Sequence, residues 1–136
     1  MMPPRIAIDR DDIASVVHTF YQRVRQDSTL GPVFAKHVTN WTEHEEKITR
    51  FWANAILFEK SYDGNPMQAH LEAGNVRAQH FATWLALFDK TLTERLNPEQ
   101  SAQWSHLAHR IGRGLSMGVT DQHRQAGAVP NLSTGF

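Results

Sequence analysis

No cysteine occurs among the 136 residues of the sequence. Disulfide bridges, thiolate metal sites and covalent attachment of a cofactor through cysteine are therefore excluded. Neither sign of charge is in excess, since 14 basic residues balance 14 acidic ones. Because nucleic acids and anionic membrane surfaces attract proteins with surplus basic charge, neither is an expected partner.

Long apolar runs are also missing. The longest, residues 84–88, is far below the roughly 20 residues that cross a membrane, and the first residues lack the apolar core of a secretory signal. The length suits one domain with one hydrophobic core. We therefore expect a cytoplasmic protein with a disordered lead-in at residues 1–8, one folded domain at 9–120 and a flexible tail at 121–136.

Apolar residues recur at spacings of three and four along most of the chain, which is the period of an α-helix with one buried face. Residues that favour helix starts precede these patterns. They include Asp9 for the first helix, a capping box of Thr42 and Glu45 for the second, and Asn97 before Pro98 for the last. The sequence predicts an all-α fold with long helices at residues 10–26, 42–58, 78–96 and 98–118.

A histidine stands in the middle of the most distinctive stretch, residues 62–88. Asn65 and Pro66 suit the start of a short helix, Gly74 suits its left-handed end, and His70 lies between them. A strongly apolar helix follows. A lone histidine is more often a surface side chain than a ligand. However, proteins present imidazole to a buried haem iron by holding a histidine over an apolar helix. We therefore predict that His70 is a metal ligand.

Two further polar residues lie on or beside apolar helix faces. His44 is at the head of the apolar stripe of the second helix, where burial without a partner costs about 1–3 kcal/mol, so it needs a polar partner or a ligand. Tyr21 flanks the stripe of the first helix, either as a core-edge tyrosine or with its hydroxyl in a pocket. Lys47 and Arg50 either form an ordinary solvated face or meet anionic groups at a pocket mouth.

The order of short motifs resembles a known family. These motifs are Phe20-Tyr21, Leu30-Gly31-Pro32, Trp41-x-x-His44, Phe51-Trp52, Tyr62-x-Gly64-x-Pro66, His70-Leu71 and Trp84-Leu85-x-Leu87-Phe88. Together they cover residues 9–115 and are similar to the truncated haemoglobins, specifically to the third group. The chain lacks the glycine pairs typical of the other two groups, which supports this assignment.

The resemblance implies a globin-like two-over-two helical sandwich around a buried haem b, iron protoporphyrin IX. It further implies that His70 is the proximal iron ligand and that Tyr21, His44 and Trp84 lie on the distal, ligand-binding side. Charge and position alone suggest Lys47 and Arg77 as partners of the haem propionates. The expected apolar walls of the pocket are Phe20, Val24, Phe34, Ile48, Phe51, Phe81 and Trp84.

The function expected from this site is reversible binding of dioxygen and of other small ligands such as nitric oxide or carbon monoxide, as in oxygen transport. Several hydrogen-bond donors suit tight holding or redox chemistry, so detoxification of nitric oxide or peroxide, in a dioxygenase-like or peroxidase-like reaction, is a further hypothesis. Such turnover requires an external reductase. We expect a monomer rather than an oligomer.

Two alternatives remain open at this point. In the first, the protein is a ligand carrier or sensor without turnover. A sensor usually needs an output domain, and 136 residues leave no room for one beside the globin. Otherwise it is a haem-free helical protein whose apolar groove takes a partner helix or a small apolar ligand, in which case His70 and His44 are incidental.

Overall fold

A computed structural model describes residues 3–60 and 62–128, which form six α-helices and no strands. The all-α prediction is therefore confirmed, and the long helices lie within one or two residues of their predicted starts. The helices are α1 (Arg10–Gln26), α2 (Leu30–Ala35), α3 (Trp41–Leu57), α4 (Pro66–Ala73), α5 (Ala78–Arg95) and α6 (Pro98–Ala128). None of them is long and apolar enough to cross a membrane.

The long helices pack as two pairs. Helix α1 packs against α3, α5 packs against α6, and contacts between α1 and α5 join the pairs. The short helices attach to this frame, α2 to α1 and α4 to α6. This is the two-over-two sandwich expected from the sequence.

Aromatic rings fill the centre of the sandwich around Phe88. Its ring meets Phe20 edge to face at 5.0 Å and Trp104 at 5.5 Å, and it stacks with Trp52 at 5.6 Å and Trp84 at 4.9 Å. Each such pair contributes about 0.5–1.5 kcal/mol beyond the burial of its surface. The core therefore ties α1, α3, α5 and α6 together at one point.

The helix ends follow the sequence in most places. Asp9 and Asp12 form a reciprocal capping box at α1, and the backbone N–H of Ala69 donates to the carbonyl of Asn65 at the start of α4. The predicted box of Thr42 and Glu45 is wrong. Helix α3 begins at Trp41, because the side chain of Asn40 already accepts from the backbone N–H of Glu43 at 3.1 Å.

The expected disordered lead-in is wrong for the described residues 3–8. Ile6 is only 2% exposed and Ile8 is also buried, and both belong to the core cluster. The backbone N–H of Arg5 donates to the carbonyl of Ile56 at 2.7 Å, and the Gln100 side chain donates to the carbonyl of Ala7 at 2.9 Å. Two buried isoleucines and these backbone bonds fix the segment, although Pro3 and Pro4 prevent it from being a helix.

A flexible tail was predicted at residues 121–136, but residues 121–128 belong to a helix. Helix α6 continues to Ala128, well past the predicted end at residue 118, and residues 129–136 lie outside the described part. Val119, only 1% exposed, shows that the helix beyond residue 118 still contributes to packing. Apolar residues are sparse in this part of the sequence, so periodicity did not reveal the extension.

Candidate functional site

A cavity of about 400 Å³ opens between the helix pairs and the short helices α2 and α4. Of the residues predicted from the sequence to form the site, all line it except Arg77, Phe20 and Val24. Phe20 and Val24, expected as walls, are not among the lining residues because they are buried in the core of the sandwich. The predicted residues that do line the cavity are Tyr21, Phe34, His44, Lys47, Ile48, Phe51, His70, Phe81 and Trp84.

His70 of α4 lines the cavity, and a hydrogen bond within α4 orients its imidazole. Its Nδ1 lies 2.5 Å from the carbonyl oxygen of Pro66, one turn earlier on the same helix. Since a carbonyl can only accept, Nδ1 carries the hydrogen, and in the neutral ring Nε2 carries the lone pair. The ring also packs against Phe81 of α5, with 5.2 Å between centroids. The arrangement leaves one well-oriented nitrogen with a free lone pair.

His44 lies among aromatic rings at the start of α3. Its ring meets Tyr21 edge to face at 4.9 Å and is flanked by Trp41 at 5.8 Å and Phe34 at 5.9 Å. Its Nε2 atom is buried and has no hydrogen-bond partner among the described residues. Burial and, to a lesser extent, the positive charge of Lys47 together lower the pKa of His44 to about 4. The imidazole is therefore neutral at neutral pH, with an unsatisfied nitrogen.

Tyr21, which is buried, and Trp84, which is partly buried, form a polar pair. Tyr21 is 2% exposed, and burial raises the pKa of its hydroxyl far above the ordinary value, while a side-chain hydrogen bond with Trp84 opposes the rise. The indole has only an N–H to offer, so Trp84 donates and the Tyr21 oxygen accepts. The hydroxyl stays protonated, which makes it a hydrogen-bond donor at any physiological pH.

The donor set of the cavity fits a metal held by an organic macrocycle. Among the described residues, no group of three or more histidine, aspartate or glutamate side chains is placed to hold a bare metal ion. His70 instead presents a single imidazole inside mostly apolar walls, and the unsatisfied Nε2 of His44 marks a second polar point. A volume of about 400 Å³ also lies in the usual range for cofactor sites, about 300–1,000 Å³. These residues fit a haem.

The two cations proposed for the propionates lie in different settings. Lys47 is exposed and lines both the cavity and an adjoining polar depression of about 440 Å³. Arg77 is the residue before α5, and its guanidinium donates to the carbonyl of Gly74 at 3.1 Å. The structure therefore brings Lys47 to the cavity mouth and turns part of Arg77 back toward the end of α4.

Several lining residues were not predicted as part of the site. Ile111 and Leu115 repeat at a helical spacing on α6, a pattern that by itself is also typical of an ordinary core face. His37 donates from Nε2 to the Asn75 side chain at 2.7 Å, and His80 accepts at Nδ1 from the backbone N–H of Arg77 at 2.9 Å. The full unpredicted lining set is Leu30, Val33, His37, Val38, Trp52, Tyr62, Pro66, Ala69, Ala73, Val76, His80, Ala108, Ile111, Gly112 and Leu115.

A two-over-two helical sandwich around a mostly apolar cavity, with a histidine oriented toward it by a backbone carbonyl, is the arrangement of a globin. Residues 8–113 match the family model of the bacterial-like globins. Over 96 residues the chain is 36% identical to the group 3 truncated hemoglobin ctb of Campylobacter jejuni, covering 68% of this chain and 76% of that protein. The crystal structure of the group III truncated hemoglobin from Campylobacter jejuni superposes with a TM-score of 0.79 at 32% identity, covering 83% of this chain and 92% of that one.

The chain belongs to the group III truncated haemoglobins. It is a haem-binding globin, and membership of the globin family implies small diatomic gases such as oxygen as its ligands.

Proposed function

We propose that the protein holds haem b through His70 and reversibly binds dioxygen, with Tyr21, His44 and Trp84 surrounding the ligand. The observation that carries the proposal is the division of polar groups in the cavity. One imidazole is oriented by a backbone carbonyl, and a separate cluster joins the Tyr21–Trp84 pair to the unsatisfied Nε2 of His44.

His70 is suited to hold the iron of a bound haem. The carbonyl of Pro66 fixes the tautomer and the ring orientation, and a hydrogen bond at Nδ1 increases the basicity of Nε2. The absence of cysteine excludes attachment of the haem through thioether bonds, so this bond and the apolar walls would hold it. Haem, when bound, supplies coordination of small gases and one-electron chemistry.

The second cluster supplies hydrogen-bond donors to a ligand. Because the Tyr21 oxygen accepts from Trp84, its own O–H is polarised and strengthened as a donor. Donors directed at a group with partial negative charge hold it more tightly and slow its release. His44, neutral at neutral pH, adds a third polar group that donates only if Nε2 carries the hydrogen. Apolar neighbours such as Ile48 and Phe51 exclude water from the ligand.

Detoxification of nitric oxide or peroxide is the candidate for turnover. A ligand held by several donors leaves slowly, which favours reaction in place over delivery. Sustained turnover requires an electron donor outside these 136 residues. The measurement is the consumption of nitric oxide or peroxide with an artificial reductant. Consumption no faster than that of the reductant alone would favour a carrier instead.

Absorption spectroscopy tests the proposed site directly. The reduced wild-type protein should show an intense Soret band that shifts on addition of carbon monoxide, and His70→Ala should lose haem or change its coordination. If neither protein took up added hemin, the proposal that the cavity binds haem would be wrong. An unchanged spectrum in His70→Ala would reject His70 as the ligand.

A further inference from the structure

Helix α4, which carries His70, is attached to the rest of the molecule mainly through α6. It is only eight residues long and has non-helical residues on both sides. Among the helices of the described chain, α6 is the one with which α4 shares its principal packing. The position of His70 relative to the cavity therefore depends on how α4 rests on α6.

One close contact sets this packing near the start of α4. Met67, the second residue of α4, lies directly against Gly118 of α6, and a methyl group added at Gly118 would come within 2.5 Å of the Met67 Cε atom. A β-carbon fits there only if the thioether end of Met67 moves away. Gly118 lies beyond residue 113, where the family match ends, and the neighbouring Val119 is buried. The extended part of α6 is thus a packed support for α4.

The contact is made by the end of the Met67 side chain, and the backbone of Met67 adjoins the group that orients His70. The carbonyl that accepts from His70 Nδ1 belongs to Pro66, and its carbon is bonded to the nitrogen of Met67. Met67 is thus a side chain that anchors the turn containing this carbonyl on α6, and a methyl group at Gly118 would force its thioether from that place. Met67 also precedes His70 by three residues, so the two side chains lie on neighbouring parts of the α4 surface.

We propose that Gly118 is a positioning residue for the iron ligand: its close contact with Met67 fixes the first turn of α4 on α6 and so orients His70. The proposal rests on the role of His70 proposed above. It assigns a function to the part of α6 that extends beyond the family match. The contact acts through Met67 and Pro66 and touches neither haem nor ligand.

The test uses the iron–histidine stretching band in the resonance Raman spectrum of the reduced, ligand-free holoprotein, together with the rate of haem loss to an acceptor protein. Gly118→Ala should shift or broaden the band and accelerate haem loss roughly tenfold. Gly114→Ala is the matched control, because it is the same change on the same helix with nothing within 4 Å of the new methyl group. Its band should equal that of the wild type.

The Met67 side chain ends in a flexible thioether, so a second variant separates steric displacement from general damage to α6. In a Met67→Ala background the methyl of Gly118→Ala enters vacated space, and the added shift should be much smaller than in the wild type. This comparison also holds if Gly118→Ala alone binds haem poorly.

The proposal is overturned if Gly118→Ala matches Gly114→Ala in band and haem loss, or if its effect is the same size with and without Met67. Failure of the underlying assignment looks different. If the iron–histidine band of the wild type persists in His70→Ala, the proposed ligand is wrong. If the band is lost there but unmoved in Gly118→Ala, only the positioning role is wrong.

Discussion

The two groups of side chains that face the cavity rest on different supports. Tyr21, His44 and Trp84 extend from the long helices α1, α3 and α5, whose rings continue into the aromatic core. His70 extends from a short helix that packs mainly on α6. The first group is held by burial shared across the whole sandwich, whereas the second depends on a few local contacts. Changes in the core should therefore affect overall stability, and changes around α4 should affect the position of one histidine.

The largest effect is expected in the core. Phe88→Ala removes the ring that meets Phe20, Trp52, Trp84 and Trp104, so the free energy of unfolding should fall by about 3–5 kcal/mol. Urea unfolding followed by circular dichroism measures the change. Met117→Ala is the control, because this side chain is 67% exposed and its loss should change stability by less than about 0.5 kcal/mol. A similar loss in both variants would contradict the aromatic core as the principal support.

The next effect concerns pH and His44. Its pKa is lowered from 6.5 to about 4 in the folded protein, so between these values the unfolded chain binds a proton that the folded chain does not. Stability should therefore fall as pH drops from 6.5 to about 4, by about 1–3 kcal/mol, the lower end reflecting partial exposure of the ring.

This loss should be smaller in His44→Leu, measured by urea unfolding at pH 7 and pH 4.5 beside the wild type. His106→Leu replaces an exposed histidine on α6 and should retain the pH dependence of the wild type. An identical pH dependence in all three proteins would mean that the pKa of His44 in the folded state is not lowered from the ordinary value of histidine.

Tyr21→Phe tests the support of the ligand by the long helices. It removes the hydroxyl that accepts from Trp84, so the oxygen dissociation rate should rise roughly tenfold, the worth of one good hydrogen bond. The matched control is Tyr62→Phe, because Tyr62 is the other tyrosine of the chain and also lines the cavity. Stopped-flow displacement of dioxygen by carbon monoxide gives both rates. Equal oxygen dissociation rates in the wild type and Tyr21→Phe would mean that Tyr21 does not donate a hydrogen bond to the ligand.

The same contrast explains how much of the molecule could be predicted from sequence. Long helices repeat their apolar residues several times, so periodicity located α1, α3, α5 and most of α6. Periodicity does not distinguish adjacent residues of one wide stripe. Phe20 therefore turned out to lie in the core while Tyr21 lines the cavity. The motif order of the family, not the spacing, assigned the latter to the site.

Contacts between segments that are distant in the sequence produce no repeating pattern comparable to that of the long helices. The packing of Ile6 and Ile8 in the core, the meeting of Met67 with Gly118 and the turn of Arg77 toward Gly74 each depend on one or two residues. A single apolar or charged residue is consistent with many neighbours, and only the folded chain selects one. The predicted placement of Arg77 was based on charge and position in the sequence alone, and neither fixes where a long side chain points.

The smallest effect tests the local support of α4 at its other end. Gly74 has a φ of 78°, in the left-handed region where a β-carbon is strained, so Gly74→Ala should destabilise the protein by about 1–2 kcal/mol. Gly114→Ala should instead stabilise it by up to about 1 kcal/mol, because that glycine lies inside α6 in open space. Gly74→Asn, which tolerates the left-handed region better, should recover part of the loss. Thermal unfolding of the three variants compares the signs directly. A stabilised Gly74→Ala would mean that the end of α4 adapts without strain, and the position of His70 would then depend on the contact with α6 alone.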